Sequence, residues 1–195
     1  MFYSFQFLKL LRGFAVIGLL GVATSGVSAA TIPPLFWPAS GGTVDLGFGA
    51  NWILKGCDRL PQAHAGIDIK VARLTNVYAA QGGVVKFVGG TRFVRGSQFV
   101  VIEHRDNQGR RYTTNYWHVI PVVRWGQSVA RGQLIAGVDG LPGNDHFHFG
   151  VRNQSYGLIS NNLALPRTRK CTPLLPKFPE KFKDPLLYFT PPTGN

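Results

Sequence analysis

The feature that most limits how this chain can fold is its punctuation. Between Ala65 and Val151 short runs of β-branched and aromatic residues alternate with turn residues, and no stretch keeps apolar residues at helical spacing for long. Val84-Val85-Lys86-Phe87-Val88 reads as a strand that stops at Gly89-Gly90. Phe99 to His104 and Arg111 to Val119 flank the polar run Arg105-Asp106-Asn107-Gln108-Gly109-Arg110, which predicts a β-hairpin. Gly126 and Gly132 bracket a short turn-and-strand unit ahead of Leu134-Ile135-Ala136, and His146 to Val151 is a last alternating strand. The 24 glycines, 13 prolines and 14 phenylalanines, against one methionine, point the same way. The expected fold is mainly β, with antiparallel sheets and few or no helices. A coiled coil or helical bundle is excluded.

The ends differ from this middle. Lys9 and Arg12 precede an uncharged run from Gly13 to Ala23 that closes on the small residues Ser28-Ala29-Ala30, the layout of a signal peptide cleaved after Ala30. Residues 31–61 form a leading segment with turns at Ser40-Gly41-Gly42 and Gly47-Phe48-Gly49, in which Phe36, Trp37, Phe48 and Trp52 read as packing residues. Residues 62–165 carry the chemistry, and 166–195 are a Pro-rich basic strap. The chain holds 21 Lys and Arg against 9 Asp and Glu, a net charge of +12, which calls for an anionic partner. The charge leaves nucleic acid, anionic lipid and a cell-wall polymer open; export to the periplasm or the medium argues against nucleic acid, and membrane contact is expected only through the signal peptide. Export also favours a disulfide between Cys57 and Cys171, the only two cysteines.

Four of the five histidines fall in patterned places. His64-Ala65-Gly66-Ile67-Asp68 puts an imidazole and a carboxylate an even number of residues apart, so on an extended segment both face one cleft, with Gly66 leaving room above that face. In His146-Phe147-His148-Phe149 a strand sends both histidines to one face and both phenylalanines to the core. Two histidines and one aspartate meet the three-ligand demand of a catalytic zinc site. His118, closing the strand Tyr112 to Trp117, is placed to supply an imidazole that is not a ligand. His104 is left over and reads as structural or exposed. No HExxH, GxSxG or GxxxxGK pattern competes. Glu103, Asp139 and Asp145 are carboxylates that nothing in the sequence pairs for glycoside chemistry.

The ordered set of motifs resembles the lysostaphin-type (LytM-type) zinc metalloendopeptidases that cut peptide cross-links of bacterial peptidoglycan. His64-Ala65-Gly66-Ile67-Asp68 matches the family's H-x-G-x-D, Tyr116-Trp117-His118 its Y-x-H, and His146-Phe147-His148 its H-x-H. Trp37-Pro38 with the glycine turns after it, Gly126-Gln127 to Gly132-Gln133, and Asp184-Pro185-Leu186 match flanking segments. The resemblance implies the duplicated hybrid motif of antiparallel sheets, and makes residues 62–165 a zinc peptidase domain. It implies one Zn2+ per chain on His64, Asp68 and His148, with His118 and His146 as unliganded catalytic histidines. The implied substrates are peptidoglycan stem peptides or cross-bridges, and the protein is expected to be a monomer. The alternative on the same fold is a non-enzymatic regulator or wall-binding module of a cell-wall hydrolase system; such relatives generally have lost ligands, whereas all five positions are filled here. Two departures border the implied cleft: the bulky Trp117, and Leu141-Pro142-Gly143-Asn144-Asp145 before H-x-H.

Overall fold

A computed structural model describes residues 31–52, 62–90, 93–156 and 181–189. The signal peptide, Cys57, Cys171 and most of the 166–195 strap lie outside the described residues. In chain order the strands are β1 (Thr43–Leu46), β2 (Asn51–Trp52), β3 (Gln62–Ala63), β4 (Ile67–Lys70), β5 (Asn76–Tyr78), β6 (Gly83–Gly89), β7 (Phe99–Arg105), β8 (Arg111–Trp117), β9 (Val119–Pro121), β10 (Ser128–Val129), β11 (Leu134–Val138), β12 (His146–Arg152) and β13 (Phe182–Lys183). The 3-10 turn Pro185–Leu187 follows β13, and Asp184 caps it by accepting from the Leu186 amide at 3.0 Å. No helix among the described residues is long and apolar enough to cross a membrane.

Every strand pairing is antiparallel. The large sheet runs β1-β4-β12-β8-β7-β6-β10, with β13 also pairing β12. A smaller sheet, β5-β11-β9, faces it, and β2-β3 form a short ribbon. The expected hairpin is β7–β8, closed in register from Phe99 opposite Trp117 to Arg105 opposite Arg111. Asp106 shapes its loop by accepting from the Gln108 and Arg110 amides, so the polar run turns for a definite reason.

The core lies between the two sheets. Ile67 and Ile69 of β4, Phe147, Phe149 and Val151 of β12, Tyr116 of β8 and Ile102 of β7 meet Val77, Ile135 and Val119 from the smaller sheet. Each of these is essentially inaccessible, and burial of such side chains at roughly 25 cal/mol per Å² is what holds the layers together. Alternation along β4 and β12 therefore fixes register: once Ile67, Ile69, Phe147 and Phe149 enter the core, Asp68, His146 and His148 must emerge on the opposite face.

The leading segment does more than turn and pack. Residues 43–46 extend the large sheet as its edge strand beside β4, a role the glycine-rich sequence hid. Trp37 and Phe48 pack on the core as expected. Phe36 does not; it is 37% exposed and meets Tyr78 edge to face.

Candidate metal centre

Register brings the three expected ligands together. Asp68 of β4 lies directly opposite His148 of β12. His64 precedes β4 and reaches the same spot over a bend at Ala65-Gly66, not by strand alternation as the spacing suggested. His64 Nε2, Asp68 Oδ1 and His148 Nδ1 form a triangle with sides of 2.8 Å between the imidazoles and 3.1 Å from each to the carboxylate. A tetrahedral zinc ion with ligands at about 2.0–2.1 Å separates its donors by roughly 3.3 Å, so the triangle has the size such an ion needs. These three residues are the group among the described residues whose His, Cys, Asp or Glu donors converge closely enough to hold a metal.

Proton bookkeeping supports the fit. His64 Nδ1 lies 3.0 Å from the Gly47 carbonyl, which only accepts, so the proton sits on Nδ1 and Nε2 turns a lone pair inward. The leading segment thus sets the tautomer of His64. Asp68 also points in lone pairs. Burial pushes its carboxyl up, but the His148 and His64 imidazoles beside it outweigh this and hold it well below the usual carboxylate range. His148 has no backstop: Nε2 is buried with no hydrogen-bond partner, and burial lowers its pKa against the pull of Asp68. Three donors this close need a cation or a shared proton between them. Gly66 makes room for the arrangement, since a Cβ there would lie 2.8 Å from the His148 ring and closer still to the Phe149 carbonyl.

The other two patterned histidines stand beside the triangle without joining it. His118 and His146 meet edge to face with centroids 5.1 Å apart, and His146 Nε2 is 3.8 Å from Asp68 Oδ2. Each donates Nδ1–H to a backbone carbonyl: His118 to Gly96 at 2.5 Å, His146 to Asn144 at 3.0 Å. Each therefore has Nε2 free for chemistry. Burial, opposed by the bond to Gly96, lowers the His118 pKa to about 4, so this ring is neutral at pH 7. His118 also sits at φ +62°, in the left-handed region that a side chain enters at a cost of about 1–2 kcal/mol. Two amides, of Asp139 and Gly140, hold it there by donating to its carbonyl at 2.8 and 3.0 Å.

His104 proves structural. It is buried between the Gly82 carbonyl at 2.9 Å and Thr114 Oγ1 at 2.7 Å, and burial lowers its pKa to about 4. The three unassigned carboxylates are all paired with cations: Glu103 with Lys86 and Arg111, Asp139 with Arg73, Asp145 with Arg95. Sequence reasoning missed Gly47, Gly96 and Arg95. The first two act through carbonyl oxygens, which have no residue signature.

The sequence model described as peptidase family M23 matches residues 62–159. The fold is similar to the catalytic domain of the antimicrobial peptidase lysostaphin from Staphylococcus simulans, at 21% identity, covering 75% of this chain and 91% of that one with a TM-score of 0.51. It is likewise similar to a chain of the SpoIIQ-SpoIIIAH pore forming complex, at 15% identity, covering 82% and 92% with a TM-score of 0.54. At these identities the likeness is one of fold. A zinc containing peptidase from Vibrio cholerae shares 29% identity over 60% of this chain with a TM-score of 0.49, and this chain spans 36% of its length. No curated protein matches.

Proposed function

The chain belongs to peptidase family M23, and from that premise we propose that it is an exported zinc metalloendopeptidase that hydrolyses peptide cross-links of bacterial peptidoglycan. The observation that carries the reading is the triangle of His64, Asp68 and His148 with two non-ligand imidazoles beside it. His64, Asp68 and His148 would hold one Zn2+. When bound, the ion supplies Lewis-acid polarisation of a carbonyl and acidification of water.

The chain's own groups do the rest. Asp68 contributes the one negative charge among these three residues, and its imidazole neighbours hold its carboxyl well below the usual carboxylate range, so it is ionised at neutral pH. His118 enters the reaction neutral, with its proton committed to the Gly96 carbonyl, so it accepts at Nε2 before it can give. His146 presents Nε2 to the same space from the other side. Between them the two rings can take a proton from the attacking water and return one to the leaving amine. Export after cleavage behind Ala30, a Cys57–Cys171 bond and a monomeric state belong to the same proposal. The surplus of Lys and Arg suits an anionic wall.

Muropeptide analysis of purified peptidoglycan incubated with the protein tests this. Cross-linked dimers should disappear, and chelator or His148→Ala should abolish the loss. Unchanged dimers, with one zinc per chain demonstrated, would move the reading to a wall-binding regulator on the same fold.

A further inference from the structure

His118 and His146 sit on different strand ends, and neither is fixed by metal ligation. His146 opens β12, so sheet register sets its backbone, but the aim of its ring and the placement of His118 relative to it depend on the loops behind them. Behind His118 is the loop between β6 and β7; behind His146 is the loop between β11 and β12. Asp139 opens the second loop and reaches into the first, where its buried carboxylate accepts from the Gly96 amide at 2.7 Å with one oxygen and from Arg73 Nη2 at 3.2 Å with the other. Gly96 in turn offers the carbonyl that orients the His118 ring. Arg95 ties the same loops from the other side. Its Nε–H donates to the Asp139 carbonyl at 3.0 Å, and its guanidinium pairs with Asp145, the neighbour of His146.

The loops touch backbone to backbone. Gly96 lies at φ +74°, and a Cβ on it would strike the Gly140 carbonyl and Leu141. Gly140, at φ +64°, has the Asp145 carboxylate 2.6 Å from where its own Cβ would be. Such close approach leaves little slack, so a hydrogen bond lost on one loop is felt as a displaced carbonyl on the other.

We propose that Asp139 and Arg95 are positioning residues that lock the two non-ligand histidines into one arrangement by clamping the β6–β7 loop to the β11–β12 loop. The proposal rests on reading those histidines as the catalytic pair. Asp139 serves His118 twice: its amide holds the His118 carbonyl in the left-handed conformation, and its carboxylate holds the residue that the His118 ring bonds to. Arg95 joins that unit to Asp145, and so to the segment from which Asn144 and His146 start β12.

Three variants of the full chain test it: Asp139→Ala, Asp139→Asn and Arg95→Ala. Each is assayed on a cross-linked muropeptide, for zinc content, and by nitrogen NMR of the His118 imidazole. With Asp139→Ala, kcat should fall about 10- to 100-fold while KM and zinc stoichiometry stay within about twofold. Its His118 ring should pass from one Nδ1–H tautomer to a mixture. Asp139→Asn keeps an oxygen for the Gly96 amide and gives up only the pair with Arg73, so it should recover most of kcat and the single tautomer. Arg95→Ala removes a side chain that is 35% exposed, and it carries the test if Asp139→Ala does not fold; it should lower kcat by at least about threefold with zinc retained. A folded Asp139→Ala or Arg95→Ala with full kcat and an unchanged His118 spectrum would overturn the proposal, as would a kcat loss that follows loss of zinc. If the parent chain hydrolyses nothing, the peptidase reading fails, and the His118 spectrum alone decides whether the clamp exists.

Discussion

The triangle of His64, Asp68 and His148, proposed to hold zinc, and the pair of histidines beside it, His118 and His146, are built by different means. His148 and Asp68 are aligned by sheet register, with Phe147, Phe149, Ile67 and Ile69 locked in the core behind them. His118 and His146 are oriented at Nδ1 by carbonyls of Gly96 and Asn144, in loops held together by Asp139, Arg95 and glycines. Hydrophobic burial fixes the first region at the cost of the whole fold if it slips; hydrogen bonds and close backbone contact fix the second, so one lost bond can misdirect a ring without unfolding the sheets. A metal site gains from the first kind of support because all its ligands must converge at once. Proton transfer needs the second, because an imidazole has to be aimed.

That contrast can be broken at its strong end first. Phe149→Ala removes a fully buried ring behind the ligand strand and should cost about 3–5 kcal/mol in urea denaturation, with zinc binding lost alongside stability. A cost under about 1 kcal/mol would mean that the core does not set the register. Next comes a pH effect within the sheet. His104 has a folded pKa of about 4 against an ordinary 6.5, so on acidification the unfolded chain takes up the proton first. Its contribution is full above pH 6.5, is lost as pH falls towards 4, and is constant below that, roughly 3 kcal/mol in all. Denaturation in chelator between pH 7.5 and 4 should show this slope added to that of His118, whose pKa is also about 4, and His104→Gln should remove the His104 share and leave the rest.

Gly66→Ala presses a methyl group against the His148 ring and the Phe149 carbonyl. It should destabilise by about 1–3 kcal/mol and weaken zinc binding, whereas unchanged zinc affinity would show that the triangle is looser than it looks. The smallest effect is expected in the loop. Val94, 57% exposed in the Gly96 loop, should tolerate Ser within about 0.5 kcal/mol, because that loop is held by hydrogen bonds and not by apolar burial.

Much of this was legible before any coordinates. Period-two alternation in His146-Phe147-His148-Phe149 sorts the side chains onto two faces, and the structure puts Phe147 and Phe149 in the core with His146 and His148 at the site. The β7–β8 hairpin follows from six polar residues between two apolar runs. The edge strand β1 was not legible, because Thr43-Val44-Asp45-Leu46 is short, mostly exposed and framed by glycine turns that dominate the local signal. Nor was the means by which His64 reaches Asp68, since a bend and a strand can place residues four apart on one side equally well. The orientation of His118 was out of reach for a deeper reason. It depends on a carbonyl 22 residues away and a carboxylate 43 residues from that, contacts that exist only once both sheets are assembled.

Zinc affinity of His148→Ala compared with His146→Ala, measured by competition with a chromophoric chelator on the folded proteins, tests the central division most directly. The account predicts that His148→Ala loses zinc by at least about 100-fold in affinity, while His146→Ala still binds one ion per chain near the parent affinity and fails only in turnover. If the two variants lose zinc to the same extent, His146 is a ligand and the separation of a strand-built metal site from a loop-aimed histidine pair is wrong.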